Sequence, residues 1–172
     1  ANPPWIAPER TPAAPVRENG RMPRIRSPVT RRPFRSATWR ASTATSAAQA
    51  LAVPKSAIAT CSVSVAAGRP LLVVISGSHR PDPLKLAALT ESRRVLLADA
   101  SYTRSHTGQL PGGIAPVGHP KPLTTLVDVT LSRQRQIWAG AGHPQYVFHT
   151  SYDEILRVTA GNAGEVGEAP AE

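Results

Sequence analysis

The segment from Ile58 to Ile75 limits the architectures open to this chain more than any other. From Ile58 to Val65 the residues alternate, with Cys61, Val63 and Val65 on one side and Thr60, Ser62 and Ser64 on the other. Successive side chains of a strand point to opposite faces, so this pattern predicts a half-buried strand. Ala67-Gly68 predicts a turn, and Pro70 to Ile75 returns as a second strand of a hairpin. The run Leu71–Ile75 has no polar side at all. A strand apolar on both faces belongs in the middle of a sheet.

The remaining elements surround that hairpin. Residues 43–52 predict a helix, capped by Thr43 or Thr45 and stopped by Pro54. Asp82 predicts the cap of a short helix carrying Leu84, Leu86 and Leu89; Arg94–Leu97 predicts a short strand. Asp99 predicts a second capped helix that runs to about His106 and ends at Gly108. Strands are expected over Leu123–Val129, Gln136–Ala141 and Tyr146–Phe148, and a last helix after Ser151. Helices and strands mix without a strict βαβ rhythm, which predicts an α+β fold: a mixed β-sheet with flanking helices. Residues 161–172, rich in Gly, Glu and Ala, predict a fraying end.

Charge divides the chain. The net charge is +9, yet residues 1–44 hold nine arginines against Glu9 and Glu18. Eight prolines in residues 1–41 leave no room there for a long helix. Residues 1–42 therefore read as a basic, poorly ordered arm, followed by a domain at 43–162 and a flexible tail at 163–172. A basic balance suits contacts with nucleic-acid phosphates. The single cysteine, Cys61, excludes an internal disulfide framework and a Cys-based zinc site. It reads as a packed thiol in a reducing, cytoplasmic setting. The opening residues lack an apolar h-region, so no secretory leader is expected, and no run of 18 apolar residues predicts a membrane span.

Candidate chemistry gathers in Thr107–Pro120, which carries Gly108, Gly112, Gly113 and Gly118 among Pro111, Pro116 and Pro120. Glycine permits positive φ and close approach, and proline stiffens the backbone around it. Such a loop is either a surface turn or a shaped cradle whose N–H groups point at a carbonyl or an anion. His119 reads as hydrogen-bonding that loop, with proton transfer as the alternative role. His143, in Ala-Gly-His-Pro, reads as a turn residue. The five histidines show no metal spacing, and there is no G-x-S-x-G elbow, Walker A loop or G-x-G-x-x-G. No metal and no cofactor are expected.

Several segments, in order, resemble the aminoacyl-tRNA deacylases of the YbaK/ProX type, relatives of the editing domain inserted in bacterial prolyl-tRNA synthetases. They are Ala47–Pro54 with Ile58; Leu71–Gly77 followed by Arg80, Asp82 and Lys85-Leu86-Ala87; Arg94-Val95 with Asp99; Thr107–Pro120; Leu126–Asp128; and Trp138–Phe148. Gly112 and Pro116 match the family's Gly-x-x-x-Pro loop. The resemblance spans roughly residues 43–162 and implies hydrolysis of the ester of a mischarged tRNA. It assigns catalysis to Gly112, Gly113 and Pro116, and substrate binding to Thr60, Ser76, Gly77, Gly118, His119 and Gly142. It implies aminoacyl-tRNA as partner, and an aminoacyl-tRNA synthetase as a second candidate. It leaves the oligomeric state open.

One position departs from the pattern. The family carries a lysine in I-x-K-[ST]-L, and alignment on Ile58 puts Thr60 there. Threonine supplies no charge for a terminal phosphate. Two expectations follow: an editing hydrolase that works without the ammonium, or a tRNA- or synthetase-binding module that keeps the fold.

Overall fold

The computed structural model describes residues 43–168. The basic arm expected at 1–42 lies outside the described residues. Helix α1 spans Ala44–Leu51, and Thr43 caps it by accepting the Ser46 N–H at 3.2 Å. Strand β1 (Ile58–Ala66) and β2 (Arg69–Ser76) form the expected hairpin. Its two-residue turn, Ala67-Gly68, has both φ angles positive. That is the turn geometry whose twist matches paired strands. Then come β3 (Arg80–Pro81), α2 (Pro83–Leu89), β4 (Val95–Leu97) and α3 (Ala100–Thr107). The chain continues with β5 (Thr124–Asp128), β6 (Ile137–Gly140), β7 (Val147–Thr150) and α4 (Tyr152–Thr159). It closes with β8 (Asn162–Gly164) and β9 (Gly167–Glu168). Asp82, Asp99 and Ser151 cap their helices as the sequence predicts. Each such cap contributes about 1 kcal/mol.

The main sheet is mixed, in the order β7-β6-β1-β2-β5-β8, with β4 added on β1. The α+β class is as expected. β2 is central between β1 and a parallel β5. Its apolar run serves two cores at once. Leu72 and Val74 join Val63, Val127, Leu131, Ile137 and Ile155 on one face. Leu71, Val73 and Ile75 join Leu86, Val95, Leu126 and Val166 on the other.

Two expectations need correction. The polar side of β1 is not a solvent face: Ser64 is 2% exposed, because α2, β4 and the second core cover it. The flexible tail expected from 163 onward instead carries β8 and β9 through Glu168. β8 pairs in parallel with β5, β9 pairs with β3, and Val166 is fully buried. A polar composition hid one apolar anchor. Lys85 is also drawn in, its Nζ donating to the Gly167 carbonyl at 3.1 Å.

The sheet has a split that positions the site. One edge of β1 is taken by β2 along its length. The other edge is shared: β6 pairs at Ile58–Ala59 and β4 at Ser64–Ala66. Between them, no described strand pairs with that edge over Thr60–Ser62.

Candidate functional site

The glycine loop begins where α3 ends. Gly108 takes the left-handed cap at φ 71°. Thr107, buried, donates its hydroxyl to the Thr103 carbonyl at 2.7 Å and accepts the Gln109 N–H at 3.0 Å. That pins the start of the loop. Gln109 then reaches across it, and its Oε1 accepts the Ala115 N–H at 2.7 Å. The same amide group lies 3.4 Å from where a Cβ on Gly142 would stand and 4.0 Å from one on Gly118. Both glycines have positive φ, 87° and 86°. A side chain at Gly142 would crowd this bridge.

The loop is seated on the end of β6. A Cβ on Gly140 would lie 2.7 Å from the Ile114 carbonyl oxygen. Gly140 follows the last β1–β6 pair, Ala59 with Ala139, so the loop sits beside Thr60 and the split in the sheet. The Ile114 side chain is buried in the first core, and Ala115 and Pro116 are buried with it. On its other flank, Gly113 packs directly on the His143-Pro144 peptide.

The backbone donors divide into committed and free. The Gly113 N–H donates to the Leu110 carbonyl at 3.2 Å, and the Ala115 N–H goes to Gln109. The Gly112 and Ile114 N–H groups have no protein acceptor among the described residues. Gly112 is exposed with φ 89°. Two adjacent-but-one N–H groups on one loop can donate to a carbonyl oxygen or to the anion it becomes. Gly113, expected to donate, instead braces the turn.

His119 faces the loop carbonyls of Thr107 and Pro116, as expected, but falls short of full hydrogen-bond geometry with either. Both ring nitrogens are enclosed without a partner. Burial holds its pKa below the usual 6.5, opposed by the nearby Thr107 and Pro116 carbonyls, neither in hydrogen-bond geometry. The imidazole is therefore neutral at pH 7. Ser62 Oγ and Trp138 Nε1 are also enclosed and unpartnered. Register places Ser62, Thr60, Ile58 and Trp138 on one face of the sheet. Thr60 itself is half-buried, with its hydroxyl turned to the Ile75 carbonyl at 3.2 Å. Cys61, on the opposite face against the first core, is an inert thiol, its pKa pushed up to about 12 by burial.

Ser76 and Gly77 form a different constellation. The Ser76 N–H donates to Asp128 Oδ2 at 3.2 Å, and its hydroxyl donates to the Ser56 carbonyl at 3.3 Å. The Gly77 N–H donates to the Ile58 carbonyl at 2.7 Å. A Cβ on Gly77 would stand 2.7 Å from the Lys55 carbonyl. These groups are used up in joining β2 to the start of β1. Asp128, 1% exposed, is the hub: it also accepts the Thr130 N–H at 3.0 Å and His79 Nδ1–H at 3.0 Å. Sequence reasoning missed Gln109 and this Asp128–His79 pair. Gln109 lacked any signal beyond lying inside the glycine stretch. Asp128 and His79 are 49 residues apart and meet only because β2 and β5 run parallel.

Beyond α1, a groove of about 650 Å³ is lined by Arg133, Gln134, Arg135 and Gln136 over Pro54 and Ala57. Among the described residues no helix is long and apolar enough to cross a membrane.

Comparison with known proteins agrees with this geometry. Residues 39–158 match the family of aminoacyl-tRNA editing domains. No curated protein matches the chain. Among solved structures, a candidate trans-editing enzyme for prolyl-tRNA synthetase is 30% identical, with a TM-score of 0.71 over 75% of this chain and 82% of that one. A scaffold protein from computational epitope grafting is 30% identical, with a TM-score of 0.70 over 74% and 81%. A protein described only as hypothetical is 28% identical, with a TM-score of 0.69 over 74% and 85%. The glycine loop, the mixed sheet beneath it and these matches place the chain in the family of aminoacyl-tRNA editing domains.

Proposed function

We propose that this chain hydrolyses the ester of a mischarged tRNA in trans. The observation that carries the reading is the loop held by Gln109, with the Gly112 and Ile114 N–H groups free above the split beside Thr60. An aminoacyl ester is already activated, so positioning and two oriented donors suffice. The ester carbonyl rests against these amides. Water adds to the carbonyl carbon, and the oxyanion is held by the same N–H groups. The bond to the ribose oxygen then breaks, and that oxygen takes the proton released by the water. The products are the free amino acid and the tRNA with its terminal hydroxyl restored. Gly118, His119 and Gly142 are assigned to the amino-acid side of the site, with both glycines beside the Gln109 amide. Rejecting one methylene by contact gives only about 1–3 kcal/mol, so the pocket selects by excluding larger side chains. The groove with Arg133 and Arg135 supplies phosphate contacts.

A second reading rests on Thr60. Its hydroxyl is spent on the sheet and it brings no cation, which favours a binding module on the same fold. Single-turnover hydrolysis of mischarged tRNAs, beginning with alanyl-tRNA-Pro, separates the two. Wild type and Thr60→Lys are compared with spontaneous hydrolysis. Acceleration by wild type supports the hydrolase. Acceleration by Thr60→Lys alone supports the binding module, and none by either variant removes the editing reading.

A further inference from the structure

We propose that the turn His143–Tyr146 is a stacking platform for an unpaired nucleobase, namely the base of the terminal nucleotide of an aminoacyl-tRNA. The inference rests on the editing reading and adds a binding subsite to it. It starts from exposure. Tyr146 is 60% exposed, and it is the one aromatic among the large hydrophobic side chains left exposed in the described residues. The sequence predicts Tyr146 as the first residue of a strand, but β7 begins at Val147 and Tyr146 belongs to the turn.

The turn is braced through its backbone, and one of its two rings is oriented by a hydrogen bond. Pro144 occupies its second position, where a fixed φ suits a tight turn. The Tyr146 N–H donates to the His143 carbonyl at 3.0 Å, and the Ala141 N–H donates to the Tyr146 carbonyl at 3.0 Å. The Gln145 N–H donates to His143 Nδ1 at 3.1 Å. That bond orients the imidazole and leaves its other nitrogen to carry the proton. The His143 and Tyr146 rings sit 5.2 Å apart, tilted by 55°. Two exposed rings thus lie side by side, the imidazole oriented and the Tyr146 ring presented to solvent, where a flat partner can stack.

The position is as informative as the shape. The inner side of the turn is in backbone contact with Gly113: a Cβ there would lie 2.5 Å from the Pro144 nitrogen and 2.6 Å from the His143 carbonyl carbon. The turn that carries the rings therefore borders the loop whose Gly112 and Ile114 amides are assigned to the ester. The ester is carried on the terminal ribose, and the base of that same nucleotide must lie next to it. Single-stranded RNA ends are bound by stacking on aromatic side chains, which tolerates any base because each has a π-face. Tyr146 offers such a face at little conformational cost.

The test uses the full chain and two substrates. One is a CCA-ended minihelix charged with alanine; the other is identical except that the terminal adenine is replaced by an abasic ribose. Loss of a stacked base costs about 5-fold to 150-fold in affinity. The wild type is expected to show a KM at least about fivefold higher for the abasic substrate. Tyr146→Ala should raise KM for the intact substrate to the abasic level, with kcat held, and Tyr146→Phe should keep the wild-type preference. Retention of the preference by Tyr146→Ala, folded by circular dichroism, overturns the platform. So does a wild type indifferent to the missing base while still deacylating both, which leaves the editing reading standing. A wild type that neither binds nor deacylates either substrate removes both proposals together.

Discussion

Gly113 and Pro144 touch through their backbones: a Cβ on Gly113 would lie 2.5 Å from the Pro144 nitrogen. This contact seats the glycine loop on the turn after β6 with no room for a side chain between them. Gly113→Ala is therefore expected to push the loop off the turn and to lower deacylation by at least about tenfold, the size of effect that loss of one oriented donor or a displaced reacting group produces. Single-turnover rates measure it. A variant with wild-type rate would show that the contact is incidental.

Asp128 anchors the end of β2. Asp128→Ala leaves the buried Ser76 N–H and the Thr130 N–H without their carboxylate and frees His79. At about 1–3 kcal/mol for each buried donor left unpaired, the expected loss is about 3 kcal/mol. Urea unfolding measures it. A loss below about 1 kcal/mol would mean that water replaces the carboxylate.

His119 links stability to acid. Its folded pKa is lowered by burial, so between that value and 6.5 the unfolded chain binds a proton that the folded chain refuses. More protons on the unfolded state mean that stability rises with pH in this window. Above 6.5 both states are neutral and the contribution is flat; below the folded pKa both are charged and the loss is complete. His119→Asn is expected to flatten the slope below pH 6.5 in denaturant titrations. An unchanged slope would assign it to other groups.

Ala67 carries strain. At φ 48° it holds the first position of the hairpin turn, which costs a residue with a Cβ about 1 kcal/mol. Asparagine tolerates this geometry best when glycine follows, as Gly68 does. Ala67→Asn is expected to stabilise the chain by about 0.5–1 kcal/mol, seen as a higher urea midpoint with the same slope. A lower midpoint contradicts it.

The groove with Arg133 and Arg135 predicts a salt signature. Changing both to glutamate should weaken tRNA binding and reduce the slope of log affinity against log salt by roughly 1.5–2, about one counterion per lost contact. An unchanged slope places phosphate contacts elsewhere.

The sequence by itself determined every element that local physics controls. Caps at Asp82, Asp99 and Ser151, the left-handed stop at Gly108 and the doubly apolar run at Leu71–Ile75 each depend on residues a few positions apart. Glycine and proline spacing likewise marked the loop that became the candidate site. Tertiary structure alone decided what those parts do together. It buried Ser64, gathered β8 and β9 around Val166, and committed the Ser76 hydroxyl and the Ser76 and Gly77 N–H groups to protein acceptors. It also chose which amides stay free, because Gln109 takes the Ala115 N–H and Leu110 takes that of Gly113. Long-range pairing of β1 with β6 and of β2 with β5 sets these choices. A hydrogen bond is assigned by which partner arrives in space, and that is not written in any local window.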